Sequence, residues 1–315
     1  MKAMISDLKE GQQVDSMFSV KYKRDVTKYA KGWRFAIGAC DKTGEVEVSY
    51  WGSEDENLAR KLHSGFEEGD VVKVTGFVGT WKGKKKIDIN EGKGSIEPTK
   101  DYTLEDFLAR TGKNVDEMYS QLLAMVEGVQ HDGLKKLLEA FFKDDVFAQR
   151  FKEAPGAMAI HHAWMGGLLE HSLSVAKIAR NAAAEYGADP DLVTAGALLH
   201  DLGKLAELEV STNFKIGEEG MLRGHTVLGE EMMREKARET GLDGQALLKL
   251  SHIILSHLGQ LEYGAPKLPM FVEAVIVHFA DNMDAKAARI AQIKREATTE
   301  DFRVFDGKNG EVYLK

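Results

Sequence analysis

The spacing of apolar residues changes once along this chain of 315 residues, and the change falls near Pro98. Before it, apolar and aromatic residues come in short, partly alternating runs, the spacing of strands. After it they recur every three or four residues, the spacing of helices. One element cannot serve both periods, so the two parts are expected to fold as different classes, with a boundary at residues 98–102. The chain length also favours two domains over one.

In the first part, "VDSMFSVKY", "WRFAIGACD", "GEVEVSYWG", "DVVKVTGFVGTW" and "KKKIDINEG" read as five strands. "SEDENLARKLHSGFEEGD", between the third and fourth, reads as a short helix. Three strands, one helix and two strands is the element order of a five-stranded OB-fold β-barrel, which handles oligonucleotides through strands 2–3 and the loops joining strands 1–2 and 4–5. The first of those loops carries Lys23, Arg24, Lys28 and Lys31, and the 4–5 turn carries Trp81, Lys82, Lys84 and Lys85. Cations track a phosphate backbone and aromatic faces stack bases. Trp33 and Phe35 lie two apart on the second strand and share a face. An aromatic pair at that spacing is more often core than stacking platform, and a lysine-rich turn alone fits a solvated hairpin. Both loops being basic at these two places favours nucleic-acid binding.

The second part is predicted to be all-α, with Thr103 and Asn114 as N-caps and Gly112 and Gly128 as stops. The expected organisation is a barrel over 1–98, a helical connector over 99–155, an all-α domain over 156–298 and an extension over 299–315 in which "GKNG" turns a small hairpin. Charge is uneven. Residues 1–100 hold 18 Lys+Arg against 16 Asp+Glu, and the remainder holds 24 against 34. Cys40 is the only cysteine, so no intrachain disulfide forms and a reducing compartment fits. The N-terminus has no signal-peptide apolar region, and no apolar run approaches the ~20 residues that span a bilayer. A cytoplasmic protein with no membrane partner is expected.

Eight of the ten histidines lie between residues 161 and 278. His171 rides on a long amphipathic pattern, and His200-Asp201 ends "DPDLVTAGALLHDLGKL". His225 begins a helical pattern, while His252, His257, His278 and Asp281 sit in later ones. Adjacent residues on a helix diverge by about 100°. At a helix end the chain can swing both toward one ion, and Gly203 is read as permitting that turn. A lone histidine inside an apolar helix is usually a hydrogen-bonded core residue, the reading kept for His252 and His278, while His63 and His131 read as surface residues. The ordered set of His171, His200-Asp201 and Asp281, each on a different predicted helix, is what points to a metal centre. Imidazole with carboxylate suits several divalent metals.

This H…HD…D pattern resembles the signature of the HD-domain phosphohydrolases. The words "GGLLEHSLSVA", "GALLHDLGKL", "GHTVLGEEM", "ILSHLGQLEYGAP" and "VHFADNMDAK" resemble the YhaM-type 3′→5′ exoribonucleases, in which an OB-fold domain precedes an HD domain. The resemblance covers nearly the whole chain. It implies that His171, His200, Asp201 and Asp281 hold a first metal, and that His225 and His257 with a bridging Asp201 hold a second. Relatives often show two adjacent histidines where this chain has His257-Leu258. Asp201 and Lys204 are the candidate catalytic residues, with Lys204 either reaching a phosphate oxygen or lying exposed at a helix end. His161 and His162 are candidates to line a substrate cleft.

The resemblance implies a metal-dependent 3′→5′ exoribonuclease releasing 5′-mononucleotides from single-stranded RNA, with single-stranded DNA as a further substrate to test. It favours Mn²⁺ or Co²⁺, while Mg²⁺, Fe²⁺, Zn²⁺ and Ni²⁺ also suit the donors. An HD-type nucleotide or cyclic-nucleotide phosphohydrolase and a non-catalytic single-strand-binding protein are the competing readings. A homo-oligomer is compatible with the sequence.

Overall fold

The computed structural model describes residues 3–81, 83–158, 162–297 and 299–315. It divides into two compact units. One holds the chain up to Ala109 with Val210–Asn213, and the other holds Arg110–Glu209 and Phe214–Lys315.

The first unit is a closed barrel. Its strands are β1 (Gln13–Tyr29), β2 (Gly32–Asp41), β3 (Gly44–Trp51), β4 (Val71–Trp81) and β5 (Lys84–Asn90), with a helix α1 (Glu56–His63) before β4. They pair in the order β1-β2-β3-β5-β4, and β1 pairs back onto β4 to close the ring. Among the described barrel strands, only β3 and β5 pair in parallel. A sixth strand, β6 (Ser95–Thr99), adds to the first half of β4 and had no counterpart in the expected five. Register shifts between Val20 and Tyr22 and between Arg24 and Thr27 bend the 17-residue β1, as closing a small barrel requires. Phe18, Val20, Ile37, Val48, Val72, Val74, Ile87 and Ile89 fill the interior. Each such side chain contributes about 1.5–3 kcal/mol through burial. Asp55 caps α1, its side chain accepting from the amides of Asn57 and Leu58.

The second unit is mainly helical: α2 (Val115–Glu127), α3 (Asp132–Phe142), α4 (Asp145–Glu153), α5 (Gly167–Tyr186), α6 (Pro190–Leu199), α7 (Lys204–Glu207), α8 (Glu218–Thr240), α9 (Gly244–Ser256) and α10 (Val272–Glu296). A short β7 (Leu208–Val210) pairs with β8 (Phe214–Ile216), and a terminal hairpin joins β9 (Arg303–Asp306) to β10 (Gly310–Tyr313). The sequence marks several boundaries. Asn114 accepts from the amides of Asp116 and Glu117, Gly128 closes α2, and Asp189 with Pro190 starts α6.

Four details differ from expectation. "TLEDFLARTG" forms only a 3-10 turn at Leu104–Asp106, and Thr103 makes no side-chain cap bond to it. His131 is no bystander, because its Nδ1 accepts from the Leu134 amide and caps α3. His63 is half-buried, its ring edge-on to Phe35. The helices over 115–153, expected as a connector, pack into one continuous core with α5, α6, α8, α9 and α10 through Leu122, Leu137, Phe142 and Phe151. Within that core α5 packs on α6 and α10.

Candidate metal centre

Asp189 and Pro190 launch α6 so that its apolar run is buried throughout and ends at His200. His200 still has helical backbone angles, and Asp201 follows as the chain turns toward α7. Gly203 serves this turn differently than expected. Its φ is −66° and its ψ −15°, ordinary right-handed backbone, so no left-handed conformation is needed. What matters is the missing side chain, because a Cβ there would lie 1.9 Å from the His225 carbonyl oxygen and 2.5 Å from the Gly229 amide nitrogen. α8 carries a break at Gly224, with φ of 71°, and His225 begins its second segment.

Two ligand sets meet at Asp201. The Nε2 of His171 lies 3.4 Å from Asp201 Oδ2, 3.1 Å from Asp281 Oδ1 and 3.2 Å from His200 Nε2. His200 Nε2 lies 3.3 Å from Asp201 Oδ2 and 3.9 Å from Asp281 Oδ1. On the other side, the Nε2 atoms of His225 and His257 each stand 3.6 Å from Asp201 Oδ1. The two oxygens of one carboxylate therefore face two separate groups of imidazoles.

The other ring nitrogens show what those Nε2 atoms are for. His171 Nδ1 donates to Asp284 Oδ2 at 2.7 Å and His200 Nδ1 to the Ala197 carbonyl at 2.8 Å. His257 Nδ1 donates to the Ile254 carbonyl at 2.7 Å and His225 Nδ1 to Glu207 Oε1 at 3.1 Å. Carbonyls and ionised carboxylates only accept, so each Nδ1 carries the proton and each neutral ring offers an Nε2 lone pair. Two such lone pairs 3.2 Å apart, on His171 and His200, repel unless a proton or a cation lies between them. The Nε2 atoms of His225 and His257 are buried without a hydrogen-bond partner among the described residues. Buried polar atoms with nothing to bind are rare and call for a ligand. The residues present therefore fit divalent metal.

Electrostatics agree. Burial alone would push Asp201 upward, but Lys204, His200 and His171 outweigh it and hold its carboxyl well below the usual range. Burial opposes ionisation of Asp281 and Asp284 too, and the imidazoles bonded to them reverse it. Burial disfavours a charged His171, yet the carboxylates of Asp201, Asp281 and Asp284 prevail and raise it well above its ordinary value. His257 is pushed down, first by burial.

The other residues singled out in the sequence fall as follows. Lys204 is neither exposed nor pointing outward, since its Nζ donates to Asp201 Oδ2 and the Gly156 carbonyl, both at 2.6 Å. His162 is buried rather than lining an open cleft, and its Nε2 donates to Asp284 Oδ2 at 2.9 Å, behind His171. His161 lies outside the described residues. Leu258 is half-buried beside His257 and displaces none of the three donors of the second set. His252 Nε2 accepts from the Met270 amide, and His278 Nδ1 donates to the His257 carbonyl.

In the barrel, Phe35 is 2% exposed and stacks on Tyr50, so it belongs to the core and offers no face to a base. Trp33 is half-buried against that core. Lys23 bonds inward to the Phe66 carbonyl and pairs with Glu67, and Arg24 pairs with Glu47. Lys28, Lys31, Lys84 and Lys85 are exposed, as is Trp81 at 65%, while Lys82 lies outside the described residues. Sequence reasoning missed Trp51. It stands opposite Arg34 in register, with Arg34 and Lys86 over its ring at 5.1 and 5.6 Å. It also missed Asp284 and Glu207. Asp284 lies three residues after Asp281, on the same side of α10, which was the available signal.

Comparison with known proteins bears on the whole chain. The HD domain family matches residues 168–286. The 3′-5′ exoribonuclease YhaM of Halalkalibacterium halodurans is 32% identical over 283 residues, covering 88% of this chain and 84% of the relative. The 3′-5′ exoribonuclease YhaM of Listeria innocua is 29% identical over 318 residues, covering 99% and 98%. A solved replication factor A related protein from Methanobacterium thermoautotrophicum is similar over 33% of this chain and 94% of its own, with 22% identity and a TM-score of 0.28. The two exoribonuclease matches run through barrel and helical unit alike, and on that extent of likeness the chain belongs to the 3′-5′ exoribonuclease YhaM family.

Proposed function

We propose that this protein is a metal-dependent 3′→5′ exoribonuclease that hydrolyses single-stranded RNA to 5′-mononucleotides, with two divalent ions at the His/Asp centre. The observation that carries the reading is Asp201, whose two oxygens face two sets of imidazole Nε2 atoms. The first ion is assigned to His171, His200, Asp201 and Asp281, the second to Asp201, His225 and His257. Mixed imidazole and carboxylate donors suit several divalent metals, and the choice of Mn²⁺ or Co²⁺ rests on the family. The 3′→5′ polarity rests on the family.

Bound divalent ions would lower the pKa of water and polarise phosphoryl oxygens. The chain's own residues supply the rest. The four Nδ1–H bonds hold the imidazoles in one tautomer, so that no donor rearranges during turnover. Lys204 holds Asp201 Oδ2 and would offer its ammonium group to a phosphate oxygen brought to the centre. In the barrel, Lys28, Lys31, Lys84 and Lys85 are assigned to the phosphate backbone and Trp81 to stacking on a base. None of these residues reads the 2′-hydroxyl, so single-stranded DNA belongs in the assay as a second substrate.

The test is time-resolved digestion of 5′-labelled single-stranded RNA with Mn²⁺, beside single-stranded DNA, a nucleotide monophosphate and an Asp201→Ala control. The expected result is a ladder shortening from the 3′ end, abolished by chelation and by Asp201→Ala while RNA binding persists. Trimming from the 5′ end, digestion indifferent to chelator, or hydrolysis of the mononucleotide alone overturns the proposal.

A further inference from the structure

The four imidazoles of the centre are anchored in two different ways, and the two ways are divided evenly between the ligand sets. His200 and His257 each donate Nδ1–H to a backbone carbonyl one helical turn earlier, Ala197 and Ile254. His171 and His225 donate to carboxylates instead, Asp284 and Glu207. Each set therefore holds one carbonyl-backed and one carboxylate-backed histidine. A carboxylate draws the Nδ1 proton more strongly than a carbonyl does, which makes the opposite nitrogen a better metal donor. We infer that Asp284 and Glu207 are positioning residues, each tuning one metal position: Asp284 the position of His171 and His200, Glu207 the position of His225 and His257. The inference rests on the two-ion reading above.

Both carboxylates are built into place. Asp284 accepts from His171 Nδ1 and His162 Nε2 on Oδ2 and from the Ser174 hydroxyl on Oδ1. His162 is in turn confined. It has left-handed backbone, with φ of 57°, a conformation that non-glycine residues rarely adopt and that persists only where the surroundings hold it. The Gly156 and Trp164 amides hold its carbonyl, and Gly156 and Gly167 leave room for it. A Cβ on Gly167 would come within 2.0 Å of the His162 carbonyl oxygen, and one on Gly156 within 2.7 Å of the His162 Cβ. From this position its ring bonds Asp284. Glu207 holds His225 at two points, since one oxygen accepts both the ring Nδ1–H and the backbone amide, the latter at 3.0 Å. It thereby ties the segment after the Gly224 break to the end of α7.

The amide variants Asp284→Asn and Glu207→Gln keep volume and an accepting oxygen but remove the charge. The test is calorimetric titration of the metal-free full-length chain with Mn²⁺, with the metal-free melting temperature followed alongside. Wild-type protein is expected to take up two ions. Each variant should weaken one of the two affinities by about 10–100-fold and leave the other within about threefold. A His225→Ala background, which removes a donor of the second set, assigns the classes: there Asp284→Asn should still weaken the remaining ion and Glu207→Gln should not. Unchanged affinities in both variants, or both variants weakening the same ion, overturn the inference while leaving the two-ion reading intact. A wild-type chain that binds fewer than two ions overturns both.

Discussion

Replacing Gly203 by alanine tests whether the close approach of the start of α7 to α8 sets the second metal position. The backbone there is right-handed, so alanine meets no conformational penalty, and the effect must come from space. The added Cβ would sit 1.9 Å from the His225 carbonyl oxygen, where ordinary contact begins near 3.4 Å, and 2.5 Å from the Gly229 amide nitrogen. Relief requires the two segments to part by about 1.5 Å, since both opposing atoms are backbone. The residue displaced is His225, whose Nε2 stands 3.6 Å from Asp201 Oδ1. Metal–ligand distances tolerate about 0.2 Å, so this displacement is several times too large for the second ion. Overpacking of this kind costs about 1–3 kcal/mol of stability, and a 1 Å misplacement at a reacting centre costs about a hundredfold in rate. Gly203→Ala should therefore lower the melting temperature, bind one Mn²⁺ by titration in place of two, and hydrolyse RNA about a hundredfold more slowly. Gly241→Ala is the control. That glycine closes α8 at φ of 75° with nothing within 4 Å of its Cβ, so the substitution costs stability through the backbone alone and leaves the metal count unchanged. A Gly203→Ala protein that binds two ions at wild-type affinity refutes the reasoning.

Phe35→Ala should cost about 3–5 kcal/mol of barrel stability in a denaturant titration, because its ring is part of the core; Trp81→Ala should leave stability unchanged and weaken single-strand binding by about 1–3 kcal/mol. The reverse pattern would return Phe35 to the binding face. Lys84→Ala with Lys85→Ala should flatten the dependence of log K on log salt by about 0.7 for each phosphate no longer neutralised; an unchanged slope removes both lysines from the interface. In the terminal hairpin, Arg289 first and then Asn309 hold Asp306 down to about 2. A depressed carboxyl contributes stability above its ordinary value of 3.8, and that contribution is lost as pH falls through about 2. In an NMR pH titration the Asp306 carboxyl should accordingly titrate near 2, and Arg289→Ala should return it toward 3.8; an unchanged midpoint in the variant refutes the assignment of the cause to Arg289.

The parts legible in sequence are those where one local rule decides. The strand order of the barrel follows from alternation and turn residues, and the start of α6 from Asp189-Pro190. That His171, His200-Asp201 and Asp281 turn inward together was legible because so many polar groups recur in apolar helical settings. What escaped depends on residues that are distant in the chain and meet only in the fold. Phe35 and Trp33 have the same spacing whether they face a base or the barrel core, and only closure of β1 onto β4 decides. Lys23 reads as a free loop cation until β1 brings it to the Phe66 carbonyl, 43 residues away. Asp284 acquires its role from His162 and His171, which lie more than 110 residues earlier. Gly203 looked like a turn glycine, and its function is set by a helix that begins 15 residues later.

The balance of charge at the centre connects these particulars to the number of ions. Asp201, Asp281, Asp284 and Glu207 are all held below the ordinary carboxylate range, so each carries its charge at neutral pH. Lys204 is bonded to Asp201, which leaves three of these four negative charges uncompensated while the histidines are neutral. Burying that excess is costly, and the metal-free protein relieves part of it by raising His171. One divalent ion would bring the centre to minus one, which still repels a phosphodiester. Two bring it to plus one, which attracts a single phosphodiester charge. On this count of charge, the proposed two-ion centre suits a phosphodiester better than a one-ion centre would. On the proposal above, the carboxylates behind His171 and His225 would do more than orient rings, because the charge of each would help to hold the ion at its own position.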